Sequence, residues 1–140
     1  MLAWGGRSFE NEAACDWEEE LAEHGISVVV ATLDKALAVE AKYLTVYDVA
    51  VAIAACEIKA RLMGGDFLLC PNSVKVIGWV EACNQMFPPD TEEKAIDVID
   101  HILTRPTESL ALWQTDYYKT CWYENVWNIR FQIYSIMPEP

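Results

Sequence analysis

Positive charge is scarce in this sequence: 10 Lys and Arg stand against 22 Asp and Glu over 140 residues, a formal net charge of −12. The negative field repels phosphate backbones and anionic headgroups, which argues against nucleic acid and membrane surfaces as partners. It keeps the chain soluble and favours the approach of a basic protein, a polyamine or a divalent cation. Histidine is rarer still, with His24 and His101 alone, and there is no HExxH and no paired ExxH spacing, so no metal site is expected. The cysteines (Cys15, Cys56, Cys70, Cys83, Cys121) are odd in number and form no CxxC pair, which excludes a disulfide framework and a zinc module and suits a reducing cytoplasm. No GxSxG elbow is present, and Gly5-Gly6 followed by Glu10 and Glu12 is too poor in glycine and too acidic for a phosphate loop, so no cofactor is expected. The longest apolar run, residues 46–58, contains Asp48 and Glu57 and falls short of the ~20 residues that span a bilayer. The opening Met1-Leu2-Ala3-Trp4-Gly5-Gly6 has no basic segment followed by an apolar one, so the expected location is the cytoplasm.

Apolar residues are plentiful. The 53% hydrophobic content, with six Trp, six Tyr and four Phe, suits one folded domain over residues 1–140. Asn11 is a candidate N-cap for a first helix that stops at Gly25; Ala13, Ala14, Trp17 and Leu21 give it one apolar face, with Glu18, Glu19, Glu20 and Glu23 mainly on the wet side. Residues 27–43 mix a β-prone Val28-Val29-Val30 with a helical step through Leu33, Leu37 and Ala41, and helix is favoured. Residues 46–63 form a helix closed by Gly64-Gly65. Residues 73–86 suit either a strand (Val74, Val76, Gly78, Val80) or a helix (Val76, Trp79, Val80, Cys83). Asp90 and Glu93 give a capping-box-like start to a helix carrying Ala95, Val98, Ile99, Ile102 and Leu103. The remainder, to about residue 136, suits two helices broken within residues 115–119. The expected fold is all-α, a single compact bundle of about six or seven helices.

Several segments resemble one family. Ala3-Trp4-Gly5, then Phe9-Glu10-Asn11-Glu12-Ala13, Asp16-Trp17 and Leu21, resembles the opening of the bacterial family known as domain of unknown function 4259. Ala54-Ala55-Cys56-Glu57-Ile58-Lys59-Ala60, the segment from Val74 to Val80, and Thr107-Glu108 with Leu112-Trp113 resemble later family segments in order. Cys56, Glu12 and Ser109 depart from the usual alanine, aspartate and leucine. The resemblance implies a stand-alone bacterial domain and gives no reaction.

Glu57 is the leading catalytic candidate, because it lies on the apolar stripe of its helix with Ile53 and Ala54 one turn earlier. Its expected state is a buried ion pair with Arg61, four residues on, or a hydrogen bond from Trp4 or another indole. The sharper alternative is a general acid or base with Glu108 beside it. Trp4, Phe9, Asn11, Asp16 and Trp17 are the binding candidates; their structural alternative is that Trp4 and Phe9 anchor the N-terminal arm and Asn11 caps the helix. His24 and His101 each follow an acid by four residues (Glu20, Asp97) near a helix end, where solvated positions are expected. The functional expectation is a non-enzymatic interaction domain, immunity-protein-like, that binds a basic partner. The alternatives are a small hydrolase or metal-dependent enzyme using Glu57 and Glu108, with Asp16 or His24, and a structural homo-oligomer.

Overall fold

A computed structural model describes residues 3–64, 74–104 and 116–137, with side chains of 116–118 left aside. The protein is an all-helical bundle; among the described residues there are six α-helices, one 3-10 turn and no strand. Helix α1 (Glu12–His24) begins where the Asn11 side chain accepts the Ala14 N–H at 2.8 Å, and ends at Gly25, whose φ of 71° suits a residue without Cβ. Its buried face is the expected one, with an addition: Glu18 is also buried. The expectation of a wet Glu18 fails because Lys75 and the helix that carries it approach this side; loss of water raises the carboxyl to about 7, against the pull of Lys75.

Helix α2 (Ile26–Ala38) starts directly after Gly25. Its valine run is helical because Val29, Leu33 and Ala36 together face the core, so packing overrides β-propensity. It stops at Ala38 and does not reach residue 43. Val39 turns extended, its carbonyl is taken by His101 Nε2 at 2.6 Å, and a 3-10 turn (Ala41–Tyr43) follows.

Helix α3 (Val46–Leu62) opens with a capping box: Thr45 Oγ1 accepts the Asp48 N–H at 3.0 Å and Asp48 returns the bond to the Thr45 N–H at 3.1 Å. It is buried on nearly every side from Val49 to Ala60 and packs against α1, α2 and the three described helices that follow it. Alanines at 50, 52, 54, 55 and 60 let that many neighbours come close. Its last turn gives way to Gly64 at φ 95°, as expected.

The segment that read as strand or helix is helix α4 (Val74–Ala82), with Val76 fully buried. Helix α5 (Thr91–Leu103) presents Ala95, Val98, Ile99 and Ile102 to the core as expected, but the capping box does not form. Asp90 adopts a left-handed φ of 68°, which turns its side chain from the cap, and Thr91 Oγ1 instead donates to the Pro88 carbonyl at 2.6 Å. Helix α6 (Asp116–Ile136) is continuous from Asp116 onward, burying Trp122, Val126, Ile129 and Ile133 on one stripe. The expected residues of a preceding helix, Leu110, Leu112 and Trp113, lie outside the described residues, as does Cys70. Among the described residues, no two of Cys15, Cys56, Cys83 and Cys121 are joined in a disulfide.

Candidate functional site

The N-terminal arm lies across α6. Trp4 N–H donates to the Glu10 carbonyl at 3.0 Å, and a Cβ on Gly6 would stand 2.5 Å from the Trp122 backbone nitrogen, so only glycine permits this approach. Phe9 is the arm's anchor at 2% exposure, its ring 6.5 Å from that of Trp17. Trp4 is not an anchor: its side chain is 41% exposed, because the arm is fixed by its backbone and by Phe9.

Ser8 is the residue that the arm delivers to Glu57. Its hydroxyl donates to Glu57 Oε1 at 2.5 Å and accepts from Asn125 Nδ2 at 2.9 Å, so arm, α3 and α6 meet in one buried chain of hydrogen bonds. Glu57 therefore takes its hydrogen bond from Ser8; Arg61 acts on it through its field, as does Arg7. Burial dominates and raises the carboxyl to about 7, with the Ser8 hydrogen bond and both arginines opposing. Asn11 spends both ends of its amide locally, Oδ1 on the α1 cap and Nδ2 on the Ser8 carbonyl at 3.3 Å. A serine hydroxyl against a carboxylate has the look of a nucleophile and its base, yet the crevice above it, between Arg7, Asn11, Ala50, Ile53 and Trp122, does not admit a water molecule. This network is a clasp. Glu108 lies outside the described residues.

A second buried charge was not read from the sequence. Lys59 is 4% exposed, with its Nζ 2.9 Å from Glu92 Oε1 and 4.3 Å from the centre of the Phe87 ring. That contact, first as a hydrogen bond, holds the Glu92 carboxyl below its ordinary value. His24 is exposed beside Glu23 at 3.8 Å, as expected of a solvated helix end, whereas His101 is part-buried with its Nε2 2.6 Å from the Val39 carbonyl. Among the described residues no group of three His, Cys, Asp or Glu is placed to hold a metal.

Two concavities are open to solvent among the described residues: one of about 280 Å³, where Glu23 and His24 face Trp79 and Gln85, and one of about 270 Å³ with a more apolar lining, between α1, α2 and the start of α3. The second carries the sequence-predicted Trp17. Its floor is Trp17, Val28, Ala36, Val39, Leu44 and Val51; its rim carries Glu20, Lys35, Tyr47 and Asp48. Trp17 Nε1 donates to Thr32 Oγ1 at 3.0 Å and Thr32 donates to the Val28 carbonyl at 2.7 Å, so the polar groups of the floor are already paired. Desolvation first, then the fields of Asp16, Glu20 and Asp48, hold the Tyr47 hydroxyl above its ordinary value, which marks the mouth as negative. Of the binding candidates, Trp17 lines this groove and Asp16 acts on Tyr47 at its mouth through its field, while Phe9 and Asn11 serve the clasp. Tyr47 escaped notice because its helix reads as apolar throughout.

The family model for a domain of unknown function (DUF4259) matches residues 3–125, and the chain belongs to that family. No curated protein matches it, and no solved structure does. No helix among the described residues is long and apolar enough to cross a membrane.

Proposed function

We propose that this family member is a non-enzymatic, cytoplasmic bacterial interaction domain that engages a basic protein, as an immunity protein engages a basic toxin. The observation that carries the reading is a contrast between two sites. The best-placed catalytic carboxylate, Glu57, is buried and bonded to Ser8, and the crevice over Ser8 admits no water, whereas the groove between α1, α2 and α3 is open and rimmed by acids on a chain of net charge −12. An acid-rimmed concavity on an acidic surface steers cations in and rejects anions. A hydrolase would need its carboxylate to reach a substrate, and the closed crevice supplies no path.

The test is a titration of tryptophan fluorescence with a Lys/Arg-rich helical peptide and with its Glu-substituted counterpart, at low and high salt. Saturable binding of the basic peptide, weakened by salt, is expected. No saturable binding, or equal binding of the acidic peptide, would overturn the reading.

A further inference from the structure

We propose that the groove between α1, α2 and α3 seats one long primary-ammonium side chain, that of a lysine on the partner, with its methylenes on the apolar floor and its charge at the rim. This rests on the reading of the protein as a binder of basic partners, and it commits that reading to one occupant.

Size comes first. About 270 Å³ is at the small end of ligand clefts, which run to ~300–1,000 Å³, and it has room for one long side chain. Chemistry narrows it further. With Trp17 and Thr32 bonded to each other and to the Val28 carbonyl, the floor offers an occupant carbon surface and little else. An apolar stem is therefore favoured, and a hydroxylated or anionic ligand would lose its water with little in return. The rim then asks for a cation.

The form of that cation follows from Asp48. Its Oδ2 already accepts the Thr45 N–H in the capping box, and Lys35 Nζ stands 3.9 Å from its Oδ1. With Oδ2 engaged, Asp48 cannot offer both oxygens to the two parallel bonds of a guanidinium fork, whereas a point charge on a flexible stem needs only one oxygen and can share it with Lys35. Lys35 neutralises part of the rim, but Glu20 and the nearby Asp16 leave an excess of negative charge there. The molecule shows elsewhere how it holds such a group: Lys59 lies in the core with its ammonium between the Glu92 carboxylate and the Phe87 ring. Tyr47 and the rim acids offer an incoming lysine the same pairing of aromatic face and carboxylate.

Three capped hexapeptides of equal charge test this, built from lysine, arginine or diaminopropionate, whose stem has one methylene. Binding is followed by the Trp17 indole N–H resonance in the full chain. Lysine should bind at least ~10-fold more tightly than diaminopropionate, from methylenes worth ~0.8 kcal/mol each when fully buried, and more tightly than arginine. Glu20→Gln should weaken it, and Ala31→Phe, at an exposed lining position, should block the groove without altering charge. Asp97→Asn, on the exposed side of α5, should change nothing. Equal binding of the three peptides, or lysine binding untouched by Ala31→Phe, would overturn the inference. Salt-sensitive binding that survives Ala31→Phe would still leave a binder of basic partners, acting through another surface. Failure of all three peptides to bind would remove both readings.

Discussion

Replacing Glu57 by glutamine keeps the shape of the side chain and removes its titration, and the buried clasp fixes what should follow. In the folded chain the carboxyl titrates near 7, against 4.5 for an unburied glutamate. Between those values the folded state holds a proton that the unfolded chain releases, so stability falls as pH rises. The stabilisation is fully present below pH 4.5 and is lost as pH passes through about 7. The displacement corresponds to about 3 kcal/mol. This value already includes the Ser8 hydrogen bond and the two arginines, which oppose burial and do not overcome it.

The glutamine variant accepts the Ser8 hydroxyl at any pH and carries no such dependence. Urea unfolding followed by tryptophan fluorescence, at a series of pH values from 4.5 to 8, gives the difference in stability between parent and variant. It should shift by about 3 kcal/mol in favour of Glu57→Gln across that range. Taking the difference removes the contribution of Glu18, which titrates in the same direction. A buried ion pair with Arg61, as the sequence suggests, requires the opposite: a loss of ~3–5 kcal/mol on substitution, undiminished at pH 8. A difference that is flat, or that moves toward the parent as pH rises, would refute the argument from burial.

Phe9→Ala should cost ~3–5 kcal/mol and Trp4→Ala no more than ~1, in reversal of the ordinary ranking of the two rings by size, and chemical denaturation reads both. Gly6→Ala places a methyl against the α6 backbone; a loss of ~1–3 kcal/mol is expected, together with detachment of the arm visible as faster amide exchange at Trp4 and Glu10. Glu92→Gln leaves the buried Lys59 ammonium without its carboxylate and should cost ~3 kcal/mol, whereas Lys59→Met should cost less than ~1 by the same unfolding assay.

Legibility in the sequence ended where contacts became distant. The Asn11 cap, the stop at Gly25 and the apolar stripes of α1 and α5 were read correctly, because each is decided within one or two helical turns. The valine run of α2 and the alternation in α4 left strand and helix open, and packing against α3 and α1 decided for helix. The clasp was half visible: Glu57 announced itself as a carboxylate on an apolar face, but its partner Ser8 is 49 residues away and Asn125 lies a further 117 residues from Ser8. Nothing in the local pattern marks a lone serine in the arm. Lys59 was hidden for a related reason, since a lysine near a helix end ordinarily extends to water, and only the arrival of Phe87 and Glu92 makes a seat for it.

The two buried titratable groups and the acidic rim also differ in what they depend on. Glu57 and Lys59 both belong to α3, the helix surrounded on nearly every side, and each is answered by a residue from another element: Ser8 of the arm and Glu92 of α5. Their energies therefore measure whether those elements are docked. Glu20 and Asp16 stand exposed on α1, and changing an exposed acid costs little stability. Substitutions at Glu57 and Lys59 should thus alter unfolding with binding intact in the folded fraction, while Glu20→Gln should alter binding with unfolding intact. Binding and stability separate along the boundary between the core and the α1–α2–α3 groove because Lys59 is neutralised at close range by Glu92 and burial favours the protonated form of Glu57, leaving the excess of negative charge at the rim to act on a partner.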